Sequence, residues 1–341
     1  MKKVLFATTA LVFSAGIAAA EVSVGGDGRM GVVYNGSDWN FSSRIRVSFT
    51  ASGTTDGGLE FGGSMRADQA TAATNGTAAS VYISGAFGKL SMGDVVGASE
   101  ALFGDYYEVG YTDLSSMDGY GNDIMYLTGD NGGNVGKNVA TMAATSTGSA
   151  TTTFSVANTG PNLLYTGTFG AFSVAASMSD GKANSTDASQ EYAIAGAYTF
   201  GNYTVGLGYE YLDGRFTGTS TDSSTTPPTV TVGTVDGKAD MVTLAGVAQF
   251  GNTSVKAHIA HAGKDLDIDY YGIGASSVFG ATTVGGYVQH AKFNGSNEDV
   301  TWYGLGAEYD LGGGATIKGG VADNDLTGSD MVADLGVKFS F

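Results

Sequence analysis

The sequence predicts an all-β fold, a sixteen-stranded antiparallel transmembrane β-barrel with short periplasmic turns and long outer loops. Apolar and polar residues alternate with a period of two from residue 22 to the end, which is typical of strands with one apolar face. A Phe-Gly pair recurs between alternating stretches, as expected for tight turns. The 341 residues include 55 Gly, 17 Phe and 18 Tyr but only 3 Pro. This composition suits long strands that end in aromatic residues.

Composition excludes several classes of protein. The chain has no cysteine, which rules out a disulfide scaffold, a zinc-thiolate site and a catalytic cysteine. Its net charge of -17 argues against nucleic-acid binding, which depends on Lys and Arg contacts to phosphates. With 42% hydrophobic and 14% charged residues, the chain is expected to be ordered.

The first twenty residues have the pattern of a secretory signal peptide. Lys2 and Lys3 precede an apolar segment over residues 4–20, which ends in Ala18, Ala19 and Ala20. Small residues at such an end are typical of a cleavage site. We therefore expect a signal peptide over residues 1–20 and a barrel domain over residues 21–341.

Alternation alone does not identify the solvent on each face, because a soluble β-sandwich alternates as well. Segment length favours the barrel. Most segments span about 10 to 12 residues, which is enough to cross a membrane at a tilt of roughly 45°. After the leader, no apolar run reaches the eighteen residues of a membrane-spanning helix.

The Phe-Gly pairs set the number of strands. They occur at residues 87–88, 169–170, 200–201, 250–251 and 279–280. Longer polar stretches at Gln69–Thr77, Asp213–Lys238 and Lys292–Glu298 are predicted to be loops at the opposite end. Aromatic girdles are expected at both ends, with Tyr34, Tyr209 and Tyr211 as candidates at the loop end. The predicted strands are 22–34, 40–52, 58–68, 79–87, 89–95, 162–169, 171–180, 189–200, 202–211, 240–250, 254–261, 269–279, 281–290, 299–310, 314–323 and 330–341.

A closed barrel of sixteen strands is too wide for its own side chains to fill, so it encloses an aqueous channel. Four arginines share the polar face of the first three strands and are predicted to form one positive stripe on the lumen wall: Arg29, Arg44, Arg46 and Arg66. Ile45 and Val47 lie between them on the lipid side.

The connection after the fifth strand, about residues 96–161, is unusually long and therefore expected to be functional. Its acidic residues are Glu100, Asp105, Glu108, Asp113, Asp118 and Asp123. Carboxylates are the hard oxygen ligands that Ca²⁺ prefers. A calcium site is therefore predicted at Glu100, Asp105, Glu108 and Asp113.

Three stretches carry a family resemblance: residues 28–44, residues 99–113, and residues 323–338. They resemble the general-diffusion porins of purple non-sulfur bacteria such as Rhodobacter. The resemblance implies a homotrimer in the outer membrane, in contact with lipid and lipopolysaccharide. It implies that the third long loop folds into the lumen, where its acidic groups face the arginines. It also implies that Phe341, at the end of an alternating last strand, is a signal for barrel assembly.

Two features depart from the family pattern. Residues 130–160, rich in Gly, Thr, Ser and Ala, look like an insertion. Asp68 places an acid on the polar face, where a basic wall residue is expected. The size and charge of the constriction are therefore open at this point.

The predicted function is passive diffusion of ions and small hydrophilic solutes, without catalysis. The closest alternative is a substrate-specific outer-membrane channel, in which an aromatic track would line the lumen. An adhesive or structural protein, or a barrel hydrolase, is a further alternative. His258, His261 and His290 show no spacing that pairs them with a serine, as a hydrolase would require. Residues 26–31 match the dinucleotide pattern G-x-G-x-x-G, but no helix is expected after them.

Overall fold

A computed structural model gives the architecture. The structure describes residues 21–68, 77–114, 121–128, 145–147, 150–157, 160–179, 190–222, 229–294, 298–325 and 329–341. The predicted signal peptide lies outside the described residues, as do Asp118 and most of the predicted insertion. Among the described helices, none is both long and apolar enough to cross a membrane.

Strands dominate the described chain. The first five are β1 Glu21–Tyr34, β2 Trp39–Thr54, β3 Glu60–Asp68, β4 Thr77–Gly85 and β5 Gly88–Gly93. The long connection then carries helix α1 Ala98–Phe103 and two short strands, β6 Thr145–Thr147 and β7 Ala150–Ala157. The remaining strands are β8 Leu163–Phe169, β9 Phe172–Met178, β10 Gln190–Phe200, β11 Tyr203–Asp222, β12 Thr229–Phe250, β13 Thr253–Lys264, β14 Ile268–Phe279, β15 Thr282–Phe293, β16 Glu298–Gly312, β17 Ala315–Asn324 and β18 Val332–Ser340.

Sixteen of these strands form one closed antiparallel ring. Neighbouring strands pair in chain order, β5 pairs with β8 across the long connection, and β1 pairs with β18 to close the ring. The β6–β7 hairpin stands outside the ring, and β7 pairs with the outer end of β11. The predicted sixteen-stranded antiparallel barrel is confirmed.

One predicted loop is wrong. Residues 213–238 do not form a loop, because β11 continues to Asp222 and β12 already begins at Thr229. The two strands pair with each other over this whole extension. Alternating Thr and Val in residues 229–235 favours strand, and the polar residues nearby concealed this signal. At every other barrel strand the predicted ends agree with the structure to within three residues.

Four of the five Phe-Gly turns form as predicted. Gly170, Gly201, Gly251 and Gly280 have φ between 58° and 66° and are the first of two turn residues, as in the type II′ turns that suit hairpins. The preceding phenylalanines are about half exposed on the outer surface, where an aromatic girdle is expected. At Phe87–Gly88 the turn residues are instead Ala86 and Phe87.

Alternation separates an apolar outer face from a lumen face. On β2, Phe41 and Ile45 are exposed outward, whereas Arg44 lies in the lumen beside Asp27. Because hydrocarbon offers no hydrogen-bond partners, the ring has to close completely. The last residue completes this closure, since the backbone N–H of Phe341 donates to Gly26 O at 3.0 Å and Gly26 N–H donates to Phe341 O at 2.8 Å.

Deletion of Phe341 should impair barrel assembly. It removes both closing hydrogen bonds and the ring that lies over Gly26. We expect a reduced amount of folded protein in the outer membrane, measured by heat-modifiable migration on gels. Phe341→Tyr keeps the backbone and the ring and should assemble normally. Normal amounts of the truncated protein would contradict the prediction.

Candidate functional site in the barrel lumen

The long connection between β5 and β8 folds into the barrel, as predicted. We call its described part, residues 94–114 and 121–128, the inner loop. Helix α1 packs against strands β8 to β12, and Ala98 N–H donates to Ser177 Oγ at 2.9 Å. At the far side of the lumen, Tyr111 is fully buried and its hydroxyl donates to Ser42 O on β2. The inner loop thus follows much of the inner wall.

Glycines on the lumen face make room for the inner loop. A methyl group added at Gly274 would lie 2.5 Å from the ring of Tyr106, and one added at Gly285 would lie 2.5 Å from the ring of Tyr107. We call the whole set the glycine track, since its members run from β11 around to β1. The other members are Gly206, Gly208, Gly272, Gly306, Gly320, Gly336 and Gly31.

Two buried wall carboxylates hold the inner loop by its backbone. Asp334 on β18 accepts hydrogen bonds from Tyr111 N at 3.1 Å, Thr112 N at 2.8 Å and Thr112 Oγ1 at 2.6 Å. Arg29 on β1 donates to the carbonyl oxygens of the same two residues. Glu210 on β11 accepts from Thr128 N at 2.7 Å and from its hydroxyl at 3.0 Å. These hydrogen bonds hold the inner loop to the wall at Tyr111 and Thr112 and again at Thr128.

The middle of the inner loop is held by β13 to β16. The Lys256 ammonium donates to Phe103 O and Asp105 O, each at 2.5 Å. A cation at this point also complements the C-terminal dipole of α1. The Tyr106 hydroxyl and His258 Nδ1 share a hydrogen bond at 2.5 Å. Gln289 donates to Gly121 O at 2.8 Å, and Trp302 donates to the same oxygen at 3.1 Å.

The predicted arginine stripe lies on the lumen wall. Arg29 on β1 is directly opposite Arg44 on β2 in the strand register, and Arg44 forms an ion pair with Asp27 at 3.0 Å. Arg46 on β2 and Arg66 on β3 continue the lumen side of the same sheet. Two further cations of this wall were not predicted from the sequence. Lys338 lies opposite Arg29 on β18, and Lys318 follows on β17.

The acidic residues of the inner loop have different partners. Glu108 contacts both wall lysines, Lys338 at 3.0 Å and Lys318 at 3.3 Å. Asp105 instead accepts a hydrogen bond from Ile124 N at 2.8 Å, so one of its oxygens stabilises the loop itself. Glu100 lies in α1, and Asp113 has a left-handed φ of 59°. The backbone oxygen of Asp123 accepts from Gln289. Only Asp118 of the predicted set lies outside the described residues.

The proximity of wall lysines changes the acidity of Glu108. Burial alone would raise the pKa of this carboxyl, but Lys318 and Lys338 outweigh it and hold the pKa below its ordinary value. Burial, assisted by Glu308 and Glu108, raises the pKa of Tyr107 to about 12. Glu108 is therefore a fixed negative charge at neutral pH, and Tyr107 is uncharged.

The four carboxylates predicted to bind calcium are not gathered into one group in this structure. Within the residues described here, no group of three or more His, Asp or Glu side chains is close enough to hold a metal ion. Glu100, Asp105, Glu108 and Asp113 are all among those residues, and Glu108 is paired with lysines. The acidic residues of the sequence did not by themselves reveal that the Glu108 carboxylate pairs with two wall lysines.

The remaining motifs have structural roles. The G-x-G-x-x-G match at residues 26–31 is part of strand β1. His261 contacts Asp269 at 2.8 Å, and His290 contacts Thr301 at 3.0 Å. His258 is buried beneath the inner loop. Among the described residues, no histidine forms a hydrogen bond with a serine, so the hydrolase alternative gains no support.

These features define a class of protein, a closed β-barrel channel whose lumen is narrowed by an inward loop between charged walls. The chain belongs to the Gram-negative porin family, whose profile matches residues 7–329. It is 52% identical to a porin of Rhodobacter capsulatus over 94% of this chain and the full length of that protein. It is 26% identical to a porin of Fuscovulum blasticum over 94% of this chain and all of that protein.

Solved structures agree with this assignment. A porin structure at 47% identity covers 94% of this chain and all of its own, with a TM-score of 0.73. A mutant of Rhodopseudomonas blastica porin, at 21% identity and with the same coverage, gives a TM-score of 0.59. The similarity to this mutant, at 21% identity, concerns the fold alone.

Gly285→Ala should loosen the inner loop. The added methyl group would lie 2.5 Å from Tyr107, and overpacking of this kind costs about 1–3 kcal/mol. We expect a lower unfolding temperature and noisier single-channel current. Gly246→Ala is the matched control, because its nearest neighbouring atom lies 3.8 Å from the new carbon. Equal behaviour of the two variants would contradict the importance of the glycine track.

Loss of the Glu108 charge should destabilise the protein in a pH-dependent way. Because the folded pKa lies below the ordinary value of 4.5, the carboxylate contributes stability that is fully present above about pH 4.5 and is lost as pH falls through the folded pKa. Thermal unfolding of wild type and Glu108→Gln should therefore differ by a constant amount near neutral pH and converge in acid. A difference that grows in acid would refute this interpretation.

Proposed function

We propose that the protein is an outer-membrane porin that allows passive diffusion of ions and small hydrophilic solutes through a water-filled lumen. The observation that carries the proposal is the charged row on the lumen wall, Lys318, Lys338, Arg29 and Arg44, with Glu108 of the inner loop beside it. Fixed charges on a narrow wall order water and attract counter-ions. Polar solutes can replace this water, whereas apolar ones cannot.

The burial of lumen aromatic residues supports general diffusion over a substrate-specific channel. Tyr270 and Trp302 of the wall point inward, and Tyr106 and Tyr111 of the inner loop point toward the wall. All four are at most 6% exposed, because they are packed between the loop and the wall. A specific channel would offer such rings to the passing solute. These aromatic side chains instead fasten the inner loop to the wall.

The outer surface of β1 to β5 and β8 supports the proposed homotrimer. These strands form an apolar hollow of about 1000 Å³, lined by residues that include Phe49, Phe61, Val81, Ile83 and Met92. Strands β3 to β5 are only 9, 9 and 6 residues long, so the barrel wall is shorter along its axis on this side. A second copy of the chain would cover an apolar face that is short for a lipid bilayer.

Other parts of the proposal rest on the sequence. The leader over residues 1–20 supports export through a cleaved signal peptide, and the family supports an outer membrane containing lipopolysaccharide. Calcium binding stays a prediction, which thermal unfolding with and without EDTA tests. Catalysis is not part of the proposal.

Recording from planar lipid bilayers tests the channel and its selectivity. Wild-type protein should give large ohmic conductance steps. Replacing Arg44 and Arg46 together by Ala should shift the reversal potential in a salt gradient toward cation selectivity, because two fixed positive charges leave the lumen wall. The shift should shrink at about 1 M salt, where the screening length is about 3 Å. An unchanged reversal potential at low salt would contradict the assignment of these arginines to the pore.

Ile45→Arg is the matched control for the face assignment. Ile45 lies between the two arginines but is 52% exposed on the outer face. An arginine there costs about 2–4 kcal/mol near the middle of the bilayer. We expect poor assembly of this variant. Normal folding would show that the lipid face and the lumen face had been assigned the wrong way round.

The trimer should resist mild detergent and dissociate on boiling. Unheated protein should migrate near three times the chain mass, and cross-linking before heating should capture the same species. Phe61→Ala removes apolar contact area from the hollow without placing a charge there, and it should yield more monomer that retains its β-sheet spectrum. Migration of unheated wild type as a monomer would exclude a stable trimer.

A further inference from the structure

Beneath helix α1 is a polar cavity that none of the interactions above uses. It has a volume of about 600 Å³ and lies at the short-turn end of the lumen, against β4, β5 and β8 to β11. We call it the alcove. Its volume is within the range of about 300–1,000 Å³ that is typical of small-molecule sites. Ala101 and Leu102 on the underside of α1 cover it.

Hydroxyl groups dominate the lining of the alcove. They come from Ser84, Thr166, Thr168, Ser173, Thr199 and Thr204. Four of them form cross-strand pairs, Thr168 with Ser173 at 3.1 Å and Thr199 with Thr204 at 3.0 Å. A hydroxyl donates one hydrogen bond and accepts two, so each pair keeps one donor and several acceptors for a solute. Such a surface matches the hydroxyl groups of a sugar or polyol.

The alcove contains a single charged group. The lining includes Lys89 but no carboxylate, in a chain with a net charge of -17. The Lys89 ammonium lies 4.2 Å from the centre of the Tyr82 ring, and among the described residues it forms no ion pair. Glu60 is linked to the alcove by a hydrogen bond, since it accepts from Ser84 Oγ at 3.2 Å. It also accepts from the Tyr82 hydroxyl at 3.4 Å. Each of these donors uses one acceptor position on one of the two Glu60 oxygens.

We propose that the alcove is a weak binding site for small solutes that combine one anionic group with several hydroxyls, such as sugar acids. Lys89 pairs with the anionic group, the Ser and Thr hydroxyls bind the polyol, and Leu102 packs against its carbon face. The arginine wall attracts anions of any kind through its charge. The alcove differs because it recognises hydroxyl groups as well. This inference rests on the proposed function, since a solute reaches the alcove through the lumen.

Three probes distinguish charge from hydroxyl recognition in bilayer recordings: gluconate has a carboxylate and five hydroxyls, acetate has only the carboxylate, and sorbitol has only hydroxyls. With each probe at the same concentration in a constant KCl background, gluconate should lower the KCl conductance at least threefold more than acetate or sorbitol. Lys89→Ala should abolish that difference. Thr199→Val with Thr204→Val should reduce the gluconate effect and leave the acetate effect unchanged.

Lys292→Ala is the matched control, because Lys292 is exposed on β15 away from the alcove. It removes the same charge and should keep the gluconate effect. Equal effects of gluconate and acetate on wild type would overturn the alcove proposal, as would an equal loss in Lys89→Ala and Lys292→Ala. Absence of ohmic conductance from folded wild-type protein would instead overturn the proposed function.

Discussion

The whole structure depends on the requirement that every backbone polar group within the membrane finds a partner in the protein. Hydrocarbon supplies none, so the sheet has to close, and the hydrogen bonds between Gly26 and Phe341 complete it at the rim. A closed ring fixes which side chains face lipid and which face the lumen, because the side-chain period of a strand is two. The apolar outer face and the charged lumen wall are two results of the same closure.

Closure of sixteen strands creates a second requirement, since wall side chains cannot fill so wide a lumen. The inner loop meets it with buried side chains and with backbone held by Asp334 and Glu210. Its close approach depends on wall positions that have no side chain, as at Gly274 and Gly285. The same wall therefore has bare backbone beneath the buried rings of the loop, and long cations, such as Arg29 and Lys256, that donate hydrogen bonds to its carbonyl oxygens.

The strands of the ring were predicted well from the sequence, because alternation and turn glycines are patterns within a few neighbouring residues. The prediction failed at residues 213–238, where two strands stabilise each other beyond the barrel. It also missed Lys318, Lys338, Asp334 and the glycine track, whose partners are distant in sequence. A signal was present, since glycines recur at lumen-facing positions of neighbouring strands. The periodicity of one strand does not show what packs against it, so the paired state of Glu108 could not be predicted.

The inner loop also has a mechanical consequence. It is tied to β9 through Ser177, to β13 through Lys256, and to β18 and β1 through Asp334 and Arg29. A hollow cylinder is easily flattened, and a strut fastened along its inside resists that deformation. Lateral pressure from the bilayer is therefore opposed by the same segment that sets the width of the passage. A change in the inner loop is therefore expected to alter both the stiffness of the barrel and the width of the passage.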